Sequence, residues 1–168
     1  MSGGVSRPRK LSARDLVEEF RSGAPELDEW LVKYGWENLR ANNAVTYVTT
    51  MNDRVVGYYA ISVGGVELTG VPSALKKGTR PDPLPVIVLA RLAVDLSLAG
   101  QGIGAGLLRN ALERAAQLSQ TVGAAALLVH ARDDTARDFY LRNGDFIASP
   151  LAEFQLMVSM KALRSQFL

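Results

Sequence analysis

Apolar residues recur at helical spacing after the first ten residues of the chain. The first stripe begins near Ser12, where Asp15 completes a capping arrangement, and Gly23 predicts its end. A second stripe spans residues 25–42 and opens with a proline, which suits the first turn of a helix. The pattern predicts two helices, and residues 1–10, which have no periodicity, predict a flexible N-terminal arm.

The period changes to that of β-strands in the middle of the chain. Residues 44–50 and 55–63 are rich in β-branched and aromatic residues, and the Asn52-Asp53 pair between them predicts a hairpin turn. We expect residues 66–71 to extend the same sheet.

A βαβ unit is predicted in the second half of the chain. Residues 86–94 and 123–130 are almost wholly apolar, as in strands that are covered on both faces. The amphipathic run between them, which follows a glycine-rich turn over residues 98–105, predicts the crossover helix. A short helix over residues 133–142 and a closing strand over residues 154–160 complete the predicted elements.

The composition limits the chemistry that the chain can perform. Of its 168 residues 48% are hydrophobic, which is enough for one sizeable core. The absence of Cys excludes a disulfide framework, a Cys nucleophile and a thiolate metal site, and a single His disfavours a zinc site, so we expect no metal. No apolar run approaches the roughly 20 residues of a membrane span. We therefore expect a cytoplasmic protein that does not bind a membrane.

The segment Ala99–Ala105 (AGQGIGA) is the most informative part of the chain, because it separates a buried strand from an amphipathic helix. Residues without Cβ let a phosphate approach the backbone, and the N–H groups and dipole of a helix N-terminus attract an anion. The Lys and Ser or Thr of a P-loop are missing, and the glycine spacing does not fit a dinucleotide-binding fingerprint. A coenzyme with a pyrophosphate, such as coenzyme A, remains, and a tight turn without a ligand is the alternative.

Gly102 and Gly104 match the coenzyme loop Arg/Gln-x-x-Gly-x-Gly/Ala of the GNAT superfamily of acetyl-CoA-dependent N-acetyltransferases, which the chain resembles. Ala99 departs from the first position of that loop. A narrower resemblance, to the tRNA-acetylating toxins of bacterial type II toxin–antitoxin modules, covers nearly all of residues 11–160. Besides the loop, it rests on FRSGAPELDEWL (Phe20–Leu31), TYVTT…VVGYYAIS (Thr46–Ser62), LARLAVD (Leu89–Asp95), LLVHA (Leu127–Ala131) and ARDFY (Ala136–Tyr140).

This resemblance implies an α/β (α+β) fold of GNAT type, in which residues 11–168 form one domain with a mixed, strongly twisted sheet flanked by helices. It also implies that the protein transfers acetyl from acetyl-CoA to the α-amine of aminoacyl-tRNA and thereby blocks translation. The implied partners are aminoacyl-tRNA, a ribbon-helix-helix antitoxin and a second copy of the chain in a homodimer.

The catalytic tyrosine of the resembled family falls on Tyr140. A phenol is a suitable acid for the thiolate that leaves acetyl-CoA. The alternative is that Tyr140 and Phe139 are core aromatics of a short helix. His130, the single histidine, ends a predicted strand and is left out of the catalytic set, because a histidine there is more often structural.

The resemblance also implies where acetyl-CoA binds. The end of the strand over residues 86–94 would pair with the pantetheine arm, and the glycine loop would hold the pyrophosphate. The expected cofactor-binding residues are Leu92, Ala93, Val94, Gly100, Gln101, Gly102, Ile103, Gly104, Ala105, Asp133 and Phe139.

Basic residues supply candidate contacts for tRNA, although a net charge of +2 is too small to indicate RNA binding alone. Residues 72–85 form a Pro-rich, basic segment that we expect to be a mobile loop. Arg91 interrupts an apolar strand and therefore needs a partner, either a substrate phosphate or an internal ion pair. With tRNA as the implied substrate, we expect phosphate contacts from Lys76, Lys77, Arg80 and Arg91.

Two other functions stay open at this point. One is a general GNAT acetyltransferase that modifies a small amine or a protein N-terminus. The other is a non-catalytic module that binds coenzyme A or a partner through the same groove.

Overall fold

The computed structural model describes residues 4–168 and contains both strands and helices. The strands are β1 (Arg9–Lys10), β2 (Val45–Met51), β3 (Arg54–Val66), β4 (Leu84–Val94), β5 (Ala126–His130), β6 (Ile147–Ala148) and β7 (Gln155–Ser159). The helices are α1 (Pro25–Trp30), α2 (Trp36–Arg40), α3 (Ile103–Leu118), α4 (Asp134–Asn143) and α5 (Met160–Phe167). A π-helical turn, Leu31–Gly35, continues α1 into α2, so the helix predicted over residues 25–42 is confirmed.

The seven strands form one mixed sheet in the order β1-β2-β3-β4-β5-β7-β6. β4 and β5 are parallel, with α3 as the crossover between them, and β1–β2, β2–β3, β5–β7 and β6–β7 are antiparallel. The predicted fold class, a mixed sheet with helices, is therefore confirmed. Packing divides the chain into two compact units. The first ends at Ser62 and includes Ala90–Asn110, and the second comprises Val63–Leu89 and Ala111–Leu168.

The first unit is built on the predicted hairpin of β2 and β3. Asn52 and Asp53 adopt φ angles of 54° and 65°, as a type I′ turn requires. Val48 lies opposite Tyr58 in the register, and both are fully buried. Tyr58 also donates a hydrogen bond of 2.7 Å to the carbonyl of Leu27, which fixes α1 on the hairpin.

The helix predicted from Ser12 to Gly23 is wrong, although its capping contacts form. Asp15 accepts a hydrogen bond of 2.8 Å from the Ser12 N–H and a bidentate pair from Arg9 at 2.7 and 2.9 Å. Leu16 then donates its N–H to Asp53 and accepts from the N–H of Val55, so its backbone serves the hairpin. A residue bonded in this way cannot continue an i to i−4 ladder, and turns replace the helix.

The N-terminal arm predicted over residues 1–10 differs from the structure in its second half. Ser6 donates its N–H to the carbonyl of Thr50 at 2.8 Å, and its hydroxyl accepts from the Thr50 N–H at 2.9 Å. Arg9 and Lys10 pair with β2, so regular structure begins before the expected Leu11. Residues 1–3 of the predicted arm lie outside the described residues.

The second unit contains the parallel strand pair and a core under the segment between β3 and β4. That core comprises Val66, Val71, Leu75, Leu84, Val86, Ala126, Leu128 and Met157. Residues 66–71 contain a 3₁₀ turn, Leu68–Gly70, instead of the expected strand. The predicted mobile loop also has regular structure, a 3₁₀ turn at Ser73–Leu75 that buries Leu75 in this core.

Two elements of the second unit were missed by the sequence patterns. β6 has only two residues, which is too short for a periodic signal. α5 follows β7 directly, and Ser159 caps it by accepting from the Ala162 N–H at 3.1 Å. Arg164 of α5 donates to the carbonyl and hydroxyl of Ser119 at the end of α3, both at 2.8 Å. Within residues 4–168, no helix is long and apolar enough to cross a membrane.

Candidate active site

The glycine-rich turn before α3 exposes backbone N–H groups. Gly100 and Gly102 both have φ of +79°, a conformation that side chains rarely adopt. The carbonyl of Gly102 accepts a hydrogen bond of 3.0 Å from the N–H of Gly106, and this bond begins the helical ladder. The N–H groups of Ile103, Gly104 and Ala105 therefore have no intrahelical acceptor. Donors of this kind, at the positive end of a helix dipole, can bind an anion such as a pyrophosphate.

Asp95 holds the start of this turn in place, a role that the sequence patterns did not predict. Its carboxylate is buried and accepts from the N–H and hydroxyl of Ser97 at 3.0 and 2.7 Å and from the Arg21 N–H at 3.0 Å. Burial raises the pKa of Asp95, but these hydrogen bonds more than offset it, and the pKa is lowered overall. The sequence signal that could have identified Asp95 is an acidic residue at the end of an apolar strand, with Ser two residues later.

The end of β4 offers a strand edge. The register of β4 with β5 ends at the pair Leu89 and Val129, whereas β4 continues to Val94. Within the described chain, Leu92, Ala93 and Val94 thus extend past their β5 partners. A backbone in this state can pair with an extended amide-containing ligand.

Tyr140 is presented by α4, whose N-terminus is capped by Asp133. The Asp133 carboxylate accepts from the Ala136 N–H at 2.8 Å, so the structure shows it as a helix cap. Tyr140 is 6% exposed and has edge-on contacts with Phe139 and Phe146, at ring centroid distances of 5.3 and 5.9 Å. Both contacts are T-shaped, and together they fix the orientation of the phenol ring.

The hydroxyl of Tyr140 is free to bind a substrate, since no group of residues 4–168 hydrogen-bonds it. Burial raises the pKa of Tyr140 to about 12. The phenol is therefore protonated throughout the neutral range and can donate a hydrogen bond there.

The four predicted RNA-binding residues belong to different units. Lys76 and Lys77 are exposed in the second unit, just after the 3₁₀ turn. Arg80, in the same segment, is partly buried, and its buried Nε has no hydrogen-bond partner in the described chain. Arg91, in the first unit, lies 4.4 Å from the centre of the Trp30 ring, so its internal partner is an aromatic face.

Trp30 was not predicted as a site residue. Its ring lies 4.4 Å from the guanidinium carbon of Arg91 and is stacked with the Tyr58 ring at a centroid distance of 6.0 Å. Trp30 is partly buried and packs against the core that contains Tyr58. The contact with Arg91 depends on tertiary structure and has no local sequence signal.

Comparison with known proteins places this geometry in context. Residues 11–145 match the Acetyltransferase (GNAT) family. The chain is 42% identical, over 96% of both chains, to a protein of Mycobacterium tuberculosis described as a tRNA-acetylating toxin. It is 27% identical to AtaT complexed with acetyl-methionyl-tRNAfMet, with a TM-score of 0.89 over 98% of this chain and 100% of that chain.

A second solved structure is a tyrosine-to-phenylalanine variant of the AtaT toxin bound to acetyl-CoA and to the C-terminus of the antitoxin AtaR. It is 26% identical to this chain, with a TM-score of 0.81 over 97% of this chain and 98% of that chain.

Proposed function

The chain belongs to the GNAT family of acetyltransferases, and on that premise we propose that it acetylates the α-amine of an amino acid esterified to tRNA, with acetyl-CoA as donor. The observation that carries this proposal is the 42% identity, over 96% of both chains, to a tRNA-acetylating toxin. Blocking that amine prevents its use in peptide bond formation, so the activity is that of a toxin that arrests translation.

Acetyl-CoA fits the features of the first unit. The free N–H groups at the start of α3 are donors for the pyrophosphate, and they require no side chain from Ala99. The exposed edge at Leu92–Val94 is a partner for the two amides of the pantetheine arm. In this proposal Gly100–Ala105 contribute backbone atoms, and Asp95 keeps their turn in place. Asp133, at the start of α4, and Phe139, in its middle, contact the cofactor.

Tyr140 supplies the proton that the departing sulfur needs. The amine nitrogen forms a bond to the acetyl carbon, and the carbon–sulfur bond breaks. A phenol with a pKa of about 12 is a weaker acid than a thiol, whose reference pKa is about 8.5, so complete transfer to sulfur alone is unfavourable. The amine becomes acidic as its new bond forms, and its proton replaces the one that Tyr140 gives to sulfur. Tyr140 then acts as a relay and ends the cycle protonated.

Basic side chains position the RNA. We assign phosphate contacts to Lys76, Lys77, Arg80 and Arg91, because Lys76 and Lys77 are exposed in the same segment as Arg80 and Arg91 is held by an aromatic ring. Arginine on an aromatic face retains its in-plane N–H groups for a phosphate.

Toxin function requires a neutralising partner. We propose that the chain forms a homodimer, is cytoplasmic and binds a ribbon-helix-helix antitoxin. The AtaT variant bound to the C-terminus of AtaR supports the antitoxin part of this proposal.

The proposal is tested by incubating the purified protein with labelled acetyl-CoA and total charged tRNA. We expect label in the RNA fraction, released by mild alkali that cleaves the aminoacyl ester, and none with deacylated tRNA. Label found only in small amines or in protein N-termini would instead identify a general acetyltransferase. Tight acetyl-CoA binding without any acetylated acceptor would identify a non-catalytic module.

A further inference from the structure

The second unit contains a cleft of about 370 Å³ that the proposed mechanism does not use. It is lined by the end of β3 and the residues after it, by β5, and by the turn between β6 and β7. Its lining includes Glu67, Leu128, His130, Ser149, Leu151 and Gln155.

His130 and Gln155 form the polar end of this cleft. They are opposite each other in the β5–β7 register, and His130 Nε2 is 3.2 Å from Gln155 Oε1. An imidazole ring has two nitrogens, so the nitrogen that is not in contact with Gln155 is available to a ligand. Such a group can form a hydrogen bond with a primary amine.

The walls of the cleft are held to the helix that carries Tyr140. Arg137 of α4 donates from Nε to the carbonyl of Glu153, in the turn between β6 and β7, at 2.9 Å. The N–H of Ala131, next to His130, donates to the carbonyl of Phe154 at 2.8 Å. These bonds give the cleft and Tyr140 a shared support within one compact unit.

The remaining lining defines the chemistry of the occupant. Leu128 and Val66 form a buried apolar wall, and Leu151, which is 71% exposed, covers the mouth. Glu67 is the one carboxylate among the lining residues, and no Lys or Arg lines the cleft. Such a cleft favours a ligand with an amine and a neutral side chain over one with a carboxylate side chain.

We infer that this cleft binds the amino-acid residue of the charged tRNA and that the His130 ring hydrogen-bonds its α-amine, an assignment that rests on the proposed function. Gln155 is a positioning residue that fixes the orientation of the His130 ring. Leu128 and Val66 contact the aminoacyl side chain.

The test measures initial rates with total charged tRNA and with amino-acid methyl esters, which carry the same amine without RNA. We expect His130→Ala to lower kcat/KM for both acceptors about tenfold or more and to leave the acetyl-CoA Kd within about twofold. His130→Gln, which retains an acceptor, should recover part of the loss. Gln155→Leu should raise the acceptor KM by a smaller factor with little change in kcat.

Gln166→Ala, a change on the exposed side of α5, is the matched control, and thermal unfolding identifies any variant that does not fold. If wild type acetylates charged tRNA and His130→Ala and Gln155→Leu both retain kcat/KM within twofold, the cleft assignment is overturned while the proposed function stands. If wild type acetylates no charged tRNA, the proposed function itself fails.

Discussion

The turn before α3 and the helix α4 illustrate two ways of building a reactive site. The turn relies on backbone atoms, since Gly100 and Gly102 have φ of +79° and the first N–H groups of α3 are unpaired by the helix. In the proposed mechanism a single side chain of α4, Tyr140, carries the chemistry, and Phe139 and Phe146 contact its ring. A backbone site tolerates many side-chain changes but few changes of conformation. A site that depends on one side chain instead tolerates few changes of that side chain.

The largest effect is expected from Tyr140→Phe. Removal of the hydroxyl leaves the ring contacts intact but removes the proton donor, so kcat should fall about 100-fold or more. The acetyl-CoA Kd, measured by calorimetry, should change less than about twofold. Tyr34→Phe, the same change at a half-exposed tyrosine of the π-helical turn, is the control and should retain wild-type rates. A Tyr140→Phe enzyme with an unchanged kcat would remove Tyr140 from the mechanism.

The next effect separates backbone from side chain within the turn. Gly102→Val places a β-branched residue at φ of +79°, which costs roughly 1–3 kcal/mol or forces the turn to change shape. We expect the acetyl-CoA Kd to rise about tenfold. Gln101→Ala at the exposed neighbouring position should change the Kd less than about threefold. Equal effects of the two changes would show that the Gln101 side chain, and not only the backbone, holds the cofactor.

The same contrast explains which parts of the molecule the sequence predicts. The hairpin, the parallel strand pair and the glycine turn follow from local rules of period, turn chemistry and glycine conformation. The helix predicted after Ser12 failed because the backbone of Leu16 is hydrogen-bonded to the β2–β3 hairpin, a contact between segments that are distant in sequence.

The site divides in the same way. The glycine spacing before α3 fits both an anion site and a tight turn without a ligand, and the spacing alone does not decide between them. Tyr140 was assigned through a family resemblance, because its burial and free hydroxyl depend on packing. The stacking of Arg91 on Trp30 and the hydrogen bonds of Asp95 join residues distant in sequence and could not be predicted from a local pattern.

A smaller effect tests whether the first unit also contributes through side chains. Arg91→Gln should lower kcat/KM for charged tRNA about fivefold and reduce its salt dependence, as expected for loss of one phosphate contact. Arg91→Lys retains the charge but not the planar stacking on Trp30 and should recover only part of the rate. Trp30→Leu should give a similar but weaker loss. Lys161→Gln, at an exposed position of α5, is the control for charge removal. If Arg91→Gln and Lys161→Gln change the salt dependence equally, Arg91 has no specific phosphate contact.

The smallest effect concerns the pH dependence of the rate and depends on the burial of Tyr140. The reaction needs a neutral amine, so kcat/KM should rise as the pH passes the α-amine pKa, ordinarily near 8. It also needs a protonated phenol, and that form is lost only as the pH rises through the folded-state pKa of Tyr140, about 12. Initial rates, corrected for ester hydrolysis without enzyme, should therefore vary by less than about twofold between roughly pH 9 and 10.5. An exposed phenol would instead give a falling limb centred near its usual pKa of about 10. Such a falling limb in the wild-type profile would mean that Tyr140 is hydrated when substrate is bound. The contrast between a buried side-chain donor and an open backbone turn would then not hold in the working enzyme.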